Sequence, residues 1–136
     1  MKVFLLSFSG ILLVLGACGC AAQPAPVTGA QVIAAFKSAG LKAENVRPMT
    51  QAEYGEAPQV CSGTRFFVPS LGADNGGRVF ICTNDKDRTA LVNYYEGLAR
   101  LGSQYVSWVY QKGNVVVQIN GLLPNDMARK YEAAIP

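Results

Sequence analysis

The order of apolar and polar residues divides the chain before any other property is considered. Val3 to Leu15 is apolar except for Ser7, Ser9 and Gly10, and it follows a single positive charge at Lys2. Gly19 to Val27 holds small residues and prolines with no periodicity, the composition of a tether. From Thr28 the pattern becomes periodic. Thr28 and Gln31 fit a capping box, and Val32, Ile33, Phe36 and Ala39 recur at helical spacing up to Gly40. A glycine there suits a left-handed helix end, with Leu41 placed for the apolar contact usual at such ends. Val46–Met49 fits an edge strand at best, because Pro48 has no N–H to give a ladder. Thr50–Gln59 reads as loop.

Thr64–Val68 and Arg78–Ile81 carry the aromatic and β-branched residues that strands favour, and Pro69–Gly77 between them is turn material. Thr83, Asn84 and Asp85 offer caps for a helix in which Leu91, Tyr94, Tyr95, Leu98 and Leu101 share a face, ending at Gly102. Val106–Gly121 predicts a hairpin. A Gly113-Asn114 turn sets Lys112 opposite Val115, Tyr110 opposite Val117 and Trp108 opposite Ile119. These pairs lie on one face, where Val106, Trp108, Tyr110, Val115, Val117 and Ile119 come together, and it is dry. The other face holds Ser107, Gln111, Gln118 and Asn120, with Val109 and Val116 as exceptions. Pro124 then opens a last helix, whose apolar stripe is Met127, Tyr131, Ala134 and Ile135.

No strand–helix–strand unit in this order demands parallel pairing. The expected fold is therefore α+β, a two-layer sandwich with an antiparallel sheet of about four strands and helices on one face. Its order is α-(β)-β-β-α-β-β-α.

Composition narrows the chemistry. The chain has 136 residues, 12 Lys+Arg against 9 Asp+Glu, four cysteines and no histidine. That length is one domain's worth. A net charge of +3 is too weak for an electrostatic nucleic-acid binder. Without histidine there is no Ser-His-Asp triad, no Cys-His dyad and no His-ligated metal.

The cysteines fall into two pairs. Cys61 and Cys82 flank the first hairpin, whose outer ends meet, so a bridge is expected in an exported protein. Closing that loop stabilises by about 3 kcal/mol in the chain-entropy model. The alternative is two buried free thiols, packed as small hydrophobes. Neither belongs to a Cys-x-x-Cys redox motif.

Cys18 and Cys20 follow the first apolar run, which is shorter than the roughly 20 residues that span a bilayer comfortably. A charged start, a short apolar run and small residues form a secretory signal, with a membrane-spanning helix as the alternative. Leu15-Gly16-Ala17-Cys18 resembles the lipobox of bacterial lipoproteins. The resemblance implies cleavage before Cys18 and acylation of that cysteine; Cys20 is a rival, but Leu15 fits the apolar position better than Ala17. Several acyl chains make a durable anchor where one is marginal. The organisation that follows is a signal peptide over 1–17, a lipidated tether over 18–27 and one α+β domain over 28–136.

Phe66-Phe67-Val68-Pro69-Ser70-Leu71, Gly76-Gly77-Arg78-Val79-Phe80-Ile81-Cys82 and Lys112-Gly113-Asn114-Val115 with Gln118-Ile119-Asn120-Gly121 resemble small, uncharacterised secreted lipoproteins of the deinococcal type. That resemblance implies fold and location, and no activity.

Candidate sites each have a plain structural explanation. Asp74-Asn75 suits a cation poorly, since calcium takes several carboxylates, and turn formation accounts for it. Asp85-Lys86-Asp87 starts like a calcium loop, but Thr89 and Ala90 then occupy the wrong positions, so helix capping accounts for it. The expectation is a lipid-anchored cell-envelope protein without a cofactor, most simply a non-catalytic binding domain. Its interaction surface would be Tyr105, Ser107, Gln111, Gln118 and Asn120. Its partner would be an envelope protein, a peptide or a cell-wall component. The alternative is a small envelope hydrolase with paired carboxylates, one of them raised in pKa.

Overall fold

Thr28 closes the first helix as its residue type requires. Its side-chain oxygen accepts from the Gln31 N–H, and the Gln31 side chain accepts from the Thr28 N–H at 2.8 Å. The computed structural model describes residues 25–136; the expected signal peptide, Cys18, Cys20 and most of the tether lie outside the described residues. Helix α1 runs Gly29–Ser38 and ends where Gly40 adopts a φ of 75°. Beyond it the Leu41 N–H donates to the Phe36 carbonyl at 2.9 Å, and Leu41 is buried in the same core as Phe36.

Five strands follow: β1 Glu44–Pro48, β2 Ser62–Phe67, β3 Gly76–Ile81, β4 Ser107–Lys112 and β5 Val115–Asn120. They form one sheet in the order β1-β2-β3-β5-β4, with every neighbouring pair antiparallel. The Gly113-Asn114 turn sets the expected register, with Lys112 opposite Val115, Tyr110 opposite Val117 and Trp108 opposite Ile119. Val106 lies just outside β4 and is exposed. Strand β1 is the edge that Pro48 requires, and all of its residues are exposed. Gly76 and Gly77 belong to β3 rather than to the turn before it. A Cβ at Gly76 would collide with the Phe66 carbonyl oxygen, and one at Gly77 with the Phe66 ring.

The fold is α+β, as expected, but its layering differs from the two-layer reading. Helices α1 and α4 (Asn125–Ala133) cover one face of the sheet, where Val32, Phe36 and Tyr131 pack on Phe66, Val79, Val115, Val117 and Ile119. The opposite face is covered by helix α3 (Asp85–Leu98), whose Leu91, Val92 and Tyr95 pack on Phe80 and Val116. Val116 and Val109, read above as exceptions on a wet face, are the footing of this third layer. Strand β5 is consequently buried on both sides from Val115 to Ile119. Leu101 does not extend the α3 stripe, because the chain tightens into a 3₁₀ turn over Ala99–Leu101 and leaves that side chain exposed.

Cys61 and Cys82 form a disulfide with their Cα atoms 4.6 Å apart, at the open end of the β2–β3 hairpin. The segment expected as loop contains a single helical turn, α2 (Gln51–Tyr54), which sits beside this bridge. No helix among the described residues is long and apolar enough to cross a membrane.

Candidate functional site

Alternation places residues 47, 65, 78 and 118 on the face covered by α3, and the strand register brings them into line. Arg47 is the Cα partner of Arg65, Arg65 of Arg78, and Arg78 of Gln118. Three guanidinium groups therefore stand in one row across β1, β2 and β3. Like charges directly opposite one another oppose sheet pairing, so each needs something to offset it.

Glu53 offsets the first. Its carboxylate accepts from Arg47 at 2.6 and 2.8 Å and from the Thr50 N–H at 2.8 Å. These bonds, the Arg47 pair foremost, hold the Glu53 carboxyl down to about 2 from an ordinary 4.5. Arg65 is spent on the backbone, donating to the Gly77 carbonyl at 3.0 Å and the Asp74 carbonyl at 2.7 Å, with its guanidinium over the Phe67 ring. Burial first, and then the Arg78 charge beside it, push Arg65 below its ordinary pKa.

Arg78 has neither a carboxylate nor a backbone carbonyl as partner. Its Nη1 donates to Gln118 Oε1 at 2.7 Å, and Gln118 Nε2 donates in turn to Ser107 Oγ at 2.8 Å. No carboxylate among the described residues lies within ion-pair distance of it. Its Nε is buried and has no acceptor. Leaving a buried donor unpaired costs roughly 1–3 kcal/mol, and more for a charged group.

Arg78 lines a cavity of about 430 Å³, open to solvent between α3, α2 and the start of β4. Tyr54, Tyr94, Tyr95 and Tyr105 supply its aromatic walls, and Ser107, Gln118 and Asn120 its polar floor and rim. Tyr54 is fixed there by the Gly63 N–H, which donates to its hydroxyl at 2.8 Å. Tyr94 meets Tyr95 edge-on, with ring centroids 5.2 Å apart. Burial lifts the Tyr95 phenol above its ordinary pKa, while the Arg78 charge pulls it the other way.

Of the expected surface residues, Tyr105, Ser107, Gln118 and Asn120 meet at this groove, and Gln111 does not line it. Gln118 is not a surface residue: its side chain is held between Arg78 and Ser107 and it is only 5% exposed. Asn120 is committed to structure, donating to Asn75 Oδ1 and accepting from the Leu122 N–H. Asp74, with φ at 63°, and Asn75, whose amide donates to the Leu71 carbonyl, form the turn read from their residue types. Asn84 caps α3 by accepting from the Asp87 N–H at 2.9 Å. The paired-carboxylate reading meets one acid in the groove, Glu53, and its pKa is displaced downward, away from that of a general acid.

The arginine row escaped sequence reading because its members are far apart in the chain. Glu53 carried a usable signal: Thr50-x-x-Glu53 is itself a capping-box pattern, of the kind read at Thr28. Comparison with family models, with curated proteins and with solved structures finds no match for this chain.

Proposed function

We propose that the protein is a lipid-anchored, non-catalytic binding domain of the cell envelope that engages its partner through the tyrosine-lined groove at Arg78. The groove carries this reading. It has the size of a ligand site, mixes aromatic walls with a few convergent polar groups, and keeps one guanidinium without a counter-charge. The Leu15-Gly16-Ala17-Cys18 lipobox supports the anchor, and the disulfide suits an oxidising compartment outside the cytosol.

One experiment tests both parts. A photo-crosslinking residue replaces Tyr105 at the groove, or Arg129 on the exposed side of helix α4, in the lipidated protein within its native envelope. Adducts are expected from position 105 and not from position 129. The same protein carrying Cys18→Ser should leave the membrane fraction and lose those adducts that depend on being held at the surface. Equal labelling from both positions would remove the groove from the reading, and a Cys18→Ser protein still held in the membrane would remove the lipid anchor.

A further inference from the structure

We propose that the groove receives a carboxylate, the acidic end of a small ligand, against the guanidinium of Arg78. This inference rests on the binding reading above and specifies its ligand chemistry. The row of arginines sets the charge: Arg47 is neutralised by Glu53, and Arg65 is tied to the Gly77 and Asp74 carbonyls. Carbonyl bonds satisfy the donors of Arg65 without cancelling its charge, but of the three arginines only Arg78 lines the cavity, so it is the one cation a ligand there can reach.

The donors set the shape. Gln118 occupies Nη1, leaving the Nε–Nη2 side of the guanidinium, whose parallel N–H groups match the two oxygens of a carboxylate. The buried Nε has no acceptor within the protein. Ser107 Oγ accepts from Gln118 and keeps its own proton to donate. Tyr94, Tyr95 and Tyr105 add aromatic surface for the body of the ligand. A phosphate would bring a second negative charge to a place with one available cation. The ligand scaffold is either a peptide ending in a free carboxyl or an acidic sugar, and both present the same group.

The test is titration calorimetry on the full lipid-free domain with acetyl-alanyl-alanine, its C-terminal amide, galacturonic acid, galactose and inorganic phosphate. At least one of the two acids should bind, and its neutral twin should bind at least about tenfold more weakly, the loss expected for a charge-assisted pair. Which acid binds identifies the scaffold. Arg78→Gln should weaken acid binding to the level of the neutral twin. Because it removes one of three opposed like charges, it should leave Tm unchanged or raise it by a few degrees. Arg78→Lys, which keeps the charge and loses the planar fork, should fall between. Equal binding of acid and neutral twin, phosphate binding above both acids, or acid binding that survives Arg78→Gln would overturn the proposal. So would no binding of either acid at millimolar concentration. If crosslinking from position 105 still captures a partner in that case, the carboxylate inference alone fails and the groove reading stands.

Discussion

The two faces of the sheet are built to different standards. On the face under α1 and α4, Phe36, Phe66 and Tyr131 pack ring against ring, with centroids 5.1 to 6.0 Å apart. Two of the polar groups there are closed off locally, the Tyr131 hydroxyl donating to the Lys42 carbonyl and the Trp108 indole to the Leu123 carbonyl, while the buried Tyr110 hydroxyl has no partner. The face under α3 is dry only around Phe80, Val116, Leu91 and the disulfide, and then gives way to three opposed arginines and a cavity. Like charges held in register weaken the pairing of these strands. The contrast is between an aromatic core and a charged row beside a cavity.

The largest expected effect is on the first face. Phe36 is fully buried and touches both other rings, so Phe36→Ala should cost about 3–5 kcal/mol by urea unfolding. Gln111→Ala, an exposed position on the second face, should change stability by no more than about 0.5 kcal/mol. Similar losses at the two positions would erase the distinction between the faces.

The disulfide is the staple of the second face. Joining residues 21 apart, it should contribute about 3 kcal/mol through the unfolded chain. The Cys61→Ala, Cys82→Ala double variant should lose that amount in urea while keeping the β4–β5 hairpin, which lies on the far side of β3 from β2. A loss below about 1 kcal/mol would mean that α3 and Phe80 hold this face unaided.

How far each face is legible from residues alone follows from how local its signals are. The Gly113-Asn114 turn sets its own register, and the Thr28 capping box and Gly40 close α1 at both ends, so these elements are readable within a few residues. The bridge is readable because hairpin ends must meet. The second helical layer is hidden, since Ser107, Gln111, Gln118 and Asn120 look like a solvent face until Val109 and Val116 are given something to pack on. The arginine row is hidden more deeply. Residues 47, 65 and 78 come into line only through the pairing of three strands, one of them irregular between Glu44 and Arg47. Nothing short-range in the chain encodes that coincidence.

The effect most specific to the charged row is in acid. Glu53 titrates at about 2 in the folded protein against an ordinary 4.5. As pH falls, the unfolded chain takes up this proton first, so the contribution of Glu53 to stability is complete above about pH 4.5 and is lost by about pH 2. The urea midpoint of Glu53→Gln should therefore lie below that of the native protein by a constant amount from pH 7 to about 5, and the two should converge as the pH falls through that window. The gap should be smaller than the one left by the disulfide, because Arg47 is 45% exposed and water screens the pair. Removing the other partner provides the cross-check: Arg47→Met should raise the Glu53 titration seen by NMR, leaving the Thr50 N–H and hydroxyl, with Arg65 at 4.0 Å, to hold it down. A gap that persists at pH 2 would assign the loss to packing of the glutamine rather than to charge, and the row of arginines would then be stabilised by something other than its one carboxylate.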